Sequence, residues 1–207
     1  PTLHYQMGGI PTNVNGQVLA PKGDNPNAVV RGLYAVGECA CVSVHGANRL
    51  GTNSLLDIVV FGRAAGMHIV NFNNENDEHK PLPQNGADIS LERLNRLDTA
   101  TSGEYSQDVA DSIRNTMQSH ASVFRTQKTM DEGVVKIAAV RDRVNNIALA
   151  DKSKIFNTAR IEALEVENMI EVAQSTMVSA AARQESRGAN TVLDYARPAE
   201  DPNCQLV

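Results

Sequence analysis

Ten of the 14 glycines lie within residues 1–70, and only Gly86, Gly103, Gly133 and Gly188 follow. Glycine permits tight turns and close backbone approach, so the first third of the chain reads as strands and loops built around a ligand. Charge divides at the same place. Residues 1–70 carry four Lys/Arg against three Asp/Glu, net +1, which leaves fifteen against twenty-one, net −6, for the rest. A near-neutral region joined to an acidic remainder suits an anionic ligand better than the total of −5 suggests. That total also argues against a nucleic-acid partner, because a phosphate backbone demands a basic face.

Three cysteines, Cys39, Cys41 and Cys204, are too few and too poorly spaced for a disulfide framework. Cys39-Ala40-Cys41 has neither a second pair nor a His cluster beside it, so no metal site is expected. Aromatic residues are 4% of the chain and Trp is absent, so the core must be aliphatic. The most apolar run, Leu55 to Val70, is interrupted by Asp57, Arg63 and His68, and no uninterrupted stretch reaches the length of a direct membrane span. The chain opens with Pro1-Thr2-Leu3, without an initiator Met or a signal peptide, and reads as a fragment.

The polar segment from Asn71 to Gly86, with Pro81 and Pro83, reads as a linker, beyond which the apolar period becomes helical. Ile89, Leu91, Leu94 and Leu97 predict a short helix capped by Asp88 or Ser90. Val109, Ile113, Met117 and Phe124 predict a second, and Met130, Val134, Ile137, Val140, Val144 and Ile147 a third. A fourth starts at the N-cap Asn157, turns Ile161, Leu164, Met169, Val172 and Met177 inward, and stops at Gly188. The expected division is residues 1–75, a linker over 76–87, and a helical domain over 88–207.

Three stretches carry chemistry. Leu33 to Val36 is a short β-type run ending in Gly37-Glu38; at the carboxyl end of such a strand, a carboxylate can accept hydrogen bonds from sugar-like hydroxyls, although an ordinary turn reads the same way. Ser43 to Asp57 is a glycine-bearing loop running into an apolar helix with Thr52 or Asn53 as N-cap. Its free N–H groups and dipole would face an electron-rich ring ahead of Ser54 and Leu55. Within that loop Arg49 is either a carboxylate ligand or a surface cation. His4, ahead of Gly8-Gly9, is by spacing alone more simply structural. The apolar helix should be buried, with Gly62 and Gly66 admitting a neighbouring backbone.

The segments His4-Tyr5-Gln6-Met7-Gly8-Gly9, Gly32-Leu33-Tyr34-Ala35-Val36-Gly37-Glu38 and His45 to Asp57, in this order, resemble the succinate dehydrogenase and fumarate reductase flavoprotein family. The wording from Ala40 to Gly51 is most similar to its succinate dehydrogenase branch, and the likeness continues through Asn157 to Glu162 and Glu185 to Ala189. The resemblance implies a remnant of an α/β flavin-binding domain, lacking its amino-terminal βαβ unit, followed by an all-α helical bundle. It implies FAD as cofactor and succinate or fumarate as substrate. His4 and Arg49 match the family's substrate-binding residues, Glu38 an acidic contact to FAD, and Ser54 and Leu55 main-chain contacts to the isoalloxazine ring.

The family's activity is hydride transfer from succinate to FAD, with the proton passing to an arginine on a capping domain; that arginine would lie before Pro1, so no catalytic residue is expected in this chain. Electrons would pass to an iron–sulfur subunit and through membrane anchor subunits to quinone. The implied location is peripheral, on the cytoplasmic face of a bacterial inner membrane or the matrix side of a mitochondrial one. No G-x-G-x-x-G occurs, Asn190 stands where the family leads one to expect His, and the text after Asp194 departs from the family's continuation. Fumarate reductase and L-aspartate oxidase are the neighbouring alternatives, and a helical interaction module without catalysis is an alternative of another class.

Overall fold

The computed structural model describes residues 8–45, 51–75, 81–187 and 191–195. The chain divides into two compact units between Pro81 and Leu82.

In the first unit, β1 (Ile10–Pro11) pairs in parallel with β4 (Ala40–Cys41), and β2 (Gln17–Leu19) pairs antiparallel with β3 (Val29–Tyr34). The turn into β2 is made by Asn13, whose side-chain oxygen accepts the N–H groups of Asn15 (3.0 Å) and Gln17 (3.1 Å). Gly16 follows at φ +73, a conformation that a side chain would strain. A Cβ there would also stand 2.9 Å from the Ala65 methyl and 3.1 Å from Val36 Cγ1, so glycine is what lets the next helix come this close.

That helix, α1 (Asn53–Glu75), starts where the N-cap reading placed it: the Thr52 carbonyl accepts the Leu55 and Leu56 N–H groups. It continues to Glu75, through the first five residues of the segment read as linker. Its burial is the reverse of the expectation. Ser54, Asp57 and Ala65 are buried, with Phe61, His68 and Phe72 half-buried on the same face, whereas Leu55, Leu56, Val59, Val60, Met67 and Val70 are exposed. The polar stripe faces the strands because three ties form there: Asp57 to His45, Tyr34 Oη to His68 Nδ1 at 2.8 Å, and the Arg31 guanidinium over the Phe72 ring at 5.9 Å. The short strands cannot also cover the other face. No neighbour lies against Gly62 or Gly66 among the described residues.

Asn53–Phe72 is long and apolar enough, by length and composition alone, to cross a membrane, with a mean hydropathy of 1.4. Requiring an uninterrupted run concealed this, since a span tolerates a pair of charges. A helix from the core of a larger domain has the same composition.

The second unit is a bundle of α2 (Asp88–Thr99), α3 (Ser106–His120), α4 (Gln127–Val144) and α5 (Thr158–Ala182). Helices α3, α4 and α5 pack mutually around Val109, Ile113, Ile137, Val140, Ala163, Val166, Ile170 and Met177. Leu97 is the one residue of α2 buried in this core, while Ile89 and Leu91 are exposed. Neither Asp88 nor Ser90 caps α2. Its N-cap is Ala87, which makes no side-chain bond, and Asp88 sits in the first turn, where its charge meets the positive end of the dipole.

At the other end of α2, Lys152 Nζ donates to the carbonyls of Asp98 (2.8 Å) and Ala100. Asn157 is the N-cap of α5, its Oδ1 accepting the Arg160 N–H at 2.8 Å while Nδ2 donates to Asp151 O and Ser153 O. Thr126 and Thr129 form a reciprocal capping box on α4.

Three predicted inward positions differ. Phe124 lies beyond α3, exposed in β5 (Phe124–Arg125), which pairs in parallel with β6 (Thr191–Val192). Ile161 and Val172 of α5 are exposed as well. The buried side of α5 is instead Ala163, Val166, Ile170, Ala173, Met177 and Ala180, in which small residues allow close helix approach. Helix α5 ends at Ala182, ahead of Gly188, which lies outside the described residues.

Gly133 marks the tightest crossing: a Cβ there would lie 2.6 Å from His120 Cβ and 2.7 Å from Met177 Sδ. Gly133→Ala should therefore destabilise the bundle by about 1–3 kcal/mol in chemical denaturation, despite the better helix propensity of alanine. An unchanged midpoint would show that the crossing relaxes freely.

Glu104 is held below the usual carboxylate range chiefly by the hydrogen bond from Arg143, with burial opposing. Arg143 donates to it from Nε (3.0 Å) and Nη2 (2.5 Å). A carboxylate whose pKa is depressed on folding stabilises above its ordinary range, and the contribution is lost as pH falls through the folded value. Glu104→Gln should thus be less stable than the parent at about pH 7, and the difference should shrink by about pH 3. A pH-independent difference in denaturation midpoints would count against the pair.

Candidate functional site

In the first unit, a glycine turn packed against α1 is met in turn by a second glycine motif. Gly37 to Cys39 forms a single 3-10 turn after β3, packed against α1. Gly37 is buried at φ +78, and a Cβ there would lie 3.5 Å from Ile58 Cγ1. Gly9, at φ +114 after Gly8 at φ +94, brings the chain against this turn. A Cβ on Gly9 would stand 2.6 Å from the Cys39 carbonyl oxygen. Only glycine fits both the dihedral and the contact. The Gly8-Gly9 motif, the Gly37-Glu38 motif and the first turns of α1 are therefore neighbours.

Within this arrangement Glu38 is exposed, so its carboxylate is open to a ligand. Ser54 is buried in the first turn of α1, and no acceptor among the described residues takes its N–H. Leu55 differs from the expectation: its side chain is exposed and its N–H already donates to the Thr52 carbonyl at 3.0 Å. The turn that starts the helix occupies that amide, so the expectation of bare amides narrows to Ser54. His4 and Arg49 lie outside the described residues.

One feature escaped the sequence reading. His45 Nε2 lies 2.8 Å from Asp57 Oδ2, with Asp57 buried and His45 nearly so. A carboxylate can only accept, so the imidazole N–H is the donor. The signal available in the sequence is Asp57 itself, an acid in the second turn of an apolar helix.

In the second unit, an open cleft is lined by Ile89, Glu92, Arg93, Asn95, Arg96 and Asn145. Its arginines are already engaged by Glu167. Among the described residues there is no cluster of three or more potential metal ligands.

Residues 1–55 match the family described as FAD binding domain, and residues 110–204 match the family described as Fumarate reductase flavoprotein C-term. The succinate dehydrogenase flavoprotein subunit of Rickettsia felis is 48% identical over 195 residues, covering 94% of this chain and 33% of that protein. The mitochondrial succinate dehydrogenase [ubiquinone] flavoprotein subunit of Oryza sativa is 45% identical over 197 residues, covering 95% of this chain and 31% of its own length. Among solved structures, a quinol-fumarate reductase with menaquinol molecules superposes with a TM-score of 0.81 at 34% identity, over 95% of this chain and 32% of that one. The chain thus spans about a third of the length of the curated relatives it matches. Over almost its whole length the chain is similar to flavoprotein subunits of the succinate dehydrogenase and fumarate reductase family.

Proposed function

We propose that this chain is part of a flavoprotein subunit that oxidises succinate to fumarate, with residues 1–75 contributing to the flavin and dicarboxylate site, 76–87 a linker, and 88–207 the helical carboxy-terminal domain. The observation that carries this reading is the convergence of the Gly8-Gly9 turn, the Glu38 turn and the start of α1 in one place. The residues present fit FAD on two counts. Buried Ser54, at the positive end of α1, has no acceptor for its N–H among the described residues, and the Glu38 carboxylate stands exposed on a turn packed against that helix.

When bound, FAD supplies the acceptor for the two electrons that leave succinate as hydride. This chain's residues do the binding. Glu38 would accept hydrogen bonds from sugar-like hydroxyls of the cofactor, and the Ser54 end of α1 would favour negative charge on its ring. Arg49 and His4 hold the substrate carboxylates by charge-assisted hydrogen bonds, which fixes the carbon to be oxidised. The proton is taken by an arginine outside this chain, so the chain alone does not turn over. Electrons pass to an iron–sulfur subunit and, through membrane anchors, to quinone. The subunit is peripheral, on the cytoplasmic face of a bacterial inner membrane or the matrix side of a mitochondrial one. Fumarate reduction at the same site is the second reading, favoured by the likeness to quinol-fumarate reductase.

In the full-length flavoprotein, Arg49→Ala should lower kcat/KM for succinate by about 100-fold, equivalent to roughly 3 kcal/mol for two charge-assisted bonds, with flavin content retained. Arg49→Lys should recover only part of this, since an ammonium lacks the bidentate fork. Unchanged kinetics would remove Arg49 from the site.

Glu38→Ala should instead lower flavin content, read as the absorbance ratio of flavin to protein after gel filtration. The isolated 207-residue chain mixed with FAD should give no succinate-dependent dye reduction. Robust turnover by it would overturn the assignment of the proton acceptor to a residue elsewhere.

A further inference from the structure

We propose that Ile155 and Phe156, at the tip of the loop entering α5, are a preformed anchor that fills an apolar pocket with a carboxylate at its rim on the iron–sulfur subunit. This rests on the reading given above, of a flavoprotein that passes electrons to such a subunit. Ile155 is 78% exposed and Phe156 100% exposed. Phe156 also adopts φ +51, a left-handed conformation that a bulky side chain takes only under constraint. Its place, one residue before the N-cap Asn157, ordinarily packs an apolar side chain against the fourth residue of the helix, here Ile161. Complete exposure of Phe156 means that no such contact forms, and Ile161 is itself exposed. Packing within the bundle therefore explains neither the side chain nor its strained backbone.

The shoulders of the tip hold it rigid. Asn157 Nδ2 donates to Asp151 O at 2.8 Å and Ser153 O at 2.9 Å, while the Asp151 carboxylate accepts the Ser153 N–H and hydroxyl. Arg160 Nη2 reaches Ser153 O at 3.4 Å and Asp98 Oδ1 at 2.6 Å, and Lys152 fastens the loop to the end of α2. A polar frame thus fixes two apolar side chains in advance, which lowers the ordering cost of binding. An aromatic side chain entering a desolvated pocket is the usual centre of a protein interface. Asp151 and the Lys152 ammonium are already engaged, so exposed Lys154, next to Ile155, is the charge a partner would meet. A lipid surface accepts apolar side chains in many orientations and gains nothing from a strained, fixed one, which favours a shaped pocket. The proposed electron route needs a second subunit held in one place, and a rigid anchor supplies that.

The test uses the full-length flavoprotein assembled with its iron–sulfur subunit, following the associated fraction on dilution, together with flavin content and Tm of the flavoprotein alone. Phe156→Ala should raise the concentration at which the two subunits separate by about ten-fold or more, with flavin content and Tm parental. Phe156→Tyr, which keeps the ring, should stay within about three-fold of the parent. Phe156→Gly should dissociate like the alanine variant while its Tm stays at or above the parental value, because glycine takes φ +51 without strain. Lys154→Glu should weaken association and flatten its dependence on salt.

Parental dissociation in Phe156→Ala and Phe156→Gly overturns the anchor while leaving the proposed function standing. So does a lowered Tm of the flavoprotein alone in both variants, which would mean that its own chain covers the tip. Loss of co-sedimentation with phosphatidylglycerol vesicles at parental subunit association would assign the tip to lipid instead, and loss of a flavoprotein self-dimer would assign it to a second copy. A parent flavoprotein that shows no succinate-dependent dye reduction overturns the proposed function itself.

Discussion

The first unit depends on how an apolar helix is tied to a layer of strands too small to bury it. Helix α1 turns Ser54, Asp57 and His68 inward, and three ties hold that face: Tyr34 of β3 reaches His68, Arg31 of β3 covers Phe72, and His45, beyond β4, meets Asp57. Contact without a side chain does the rest, where Gly16 admits Ala65. The outward face, from Leu55 to Val70, remains apolar and uncovered by the described residues. A face of this kind is normally covered by protein or lipid.

The bundle solves a different problem. Its helices meet through small residues, so its core is set as much by what is missing as by what fills it. Ala163, Ala173 and Ala180 make α5 thin on one side, and Gly133 lets α4 approach His120 and Met177. This explains which parts of the bundle could be read in advance. Helix existence and the Asn157 cap followed from local chemistry, since a side chain three residues before a helical N–H either can or cannot accept it. The inward face of α5 did not follow. A period drawn through Ile161 and Val172 gives weight to size, whereas close packing selected alanine.

The same contrast holds at the site. Glu38 on its glycine turn and the start of α1 after Thr52 were legible, because both are short-range consequences of backbone geometry. The Leu55 amide was misjudged, because counting the free donors of a helix end ignores the turn that leads into it. The orientation of α1 and the His45–Asp57 bond were invisible to pattern reading. An amphipathic period assumes that the apolar side goes in, and a hydrogen bond between side chains twelve residues apart has no period at all.

Ser186 has a consequence for the chain beyond α5. Fully buried, its hydroxyl has one proton for two carbonyls within reach, Val192 at 2.8 Å and Tyr195 at 2.9 Å, and accepts the Val192 N–H at 3.0 Å, while β6 pairs with β5. Asp194 meanwhile accepts the Gln127 N–H at the start of α4. Ser186 thereby folds the segment after α5 back on itself, and the β5–β6 pairing and Asp194 fasten that segment to the residues at the start of α4. Sequence drift along this strip is limited at Ser186 by a need for one small polar atom, whereas the side chains of the strip that point outward are free to vary.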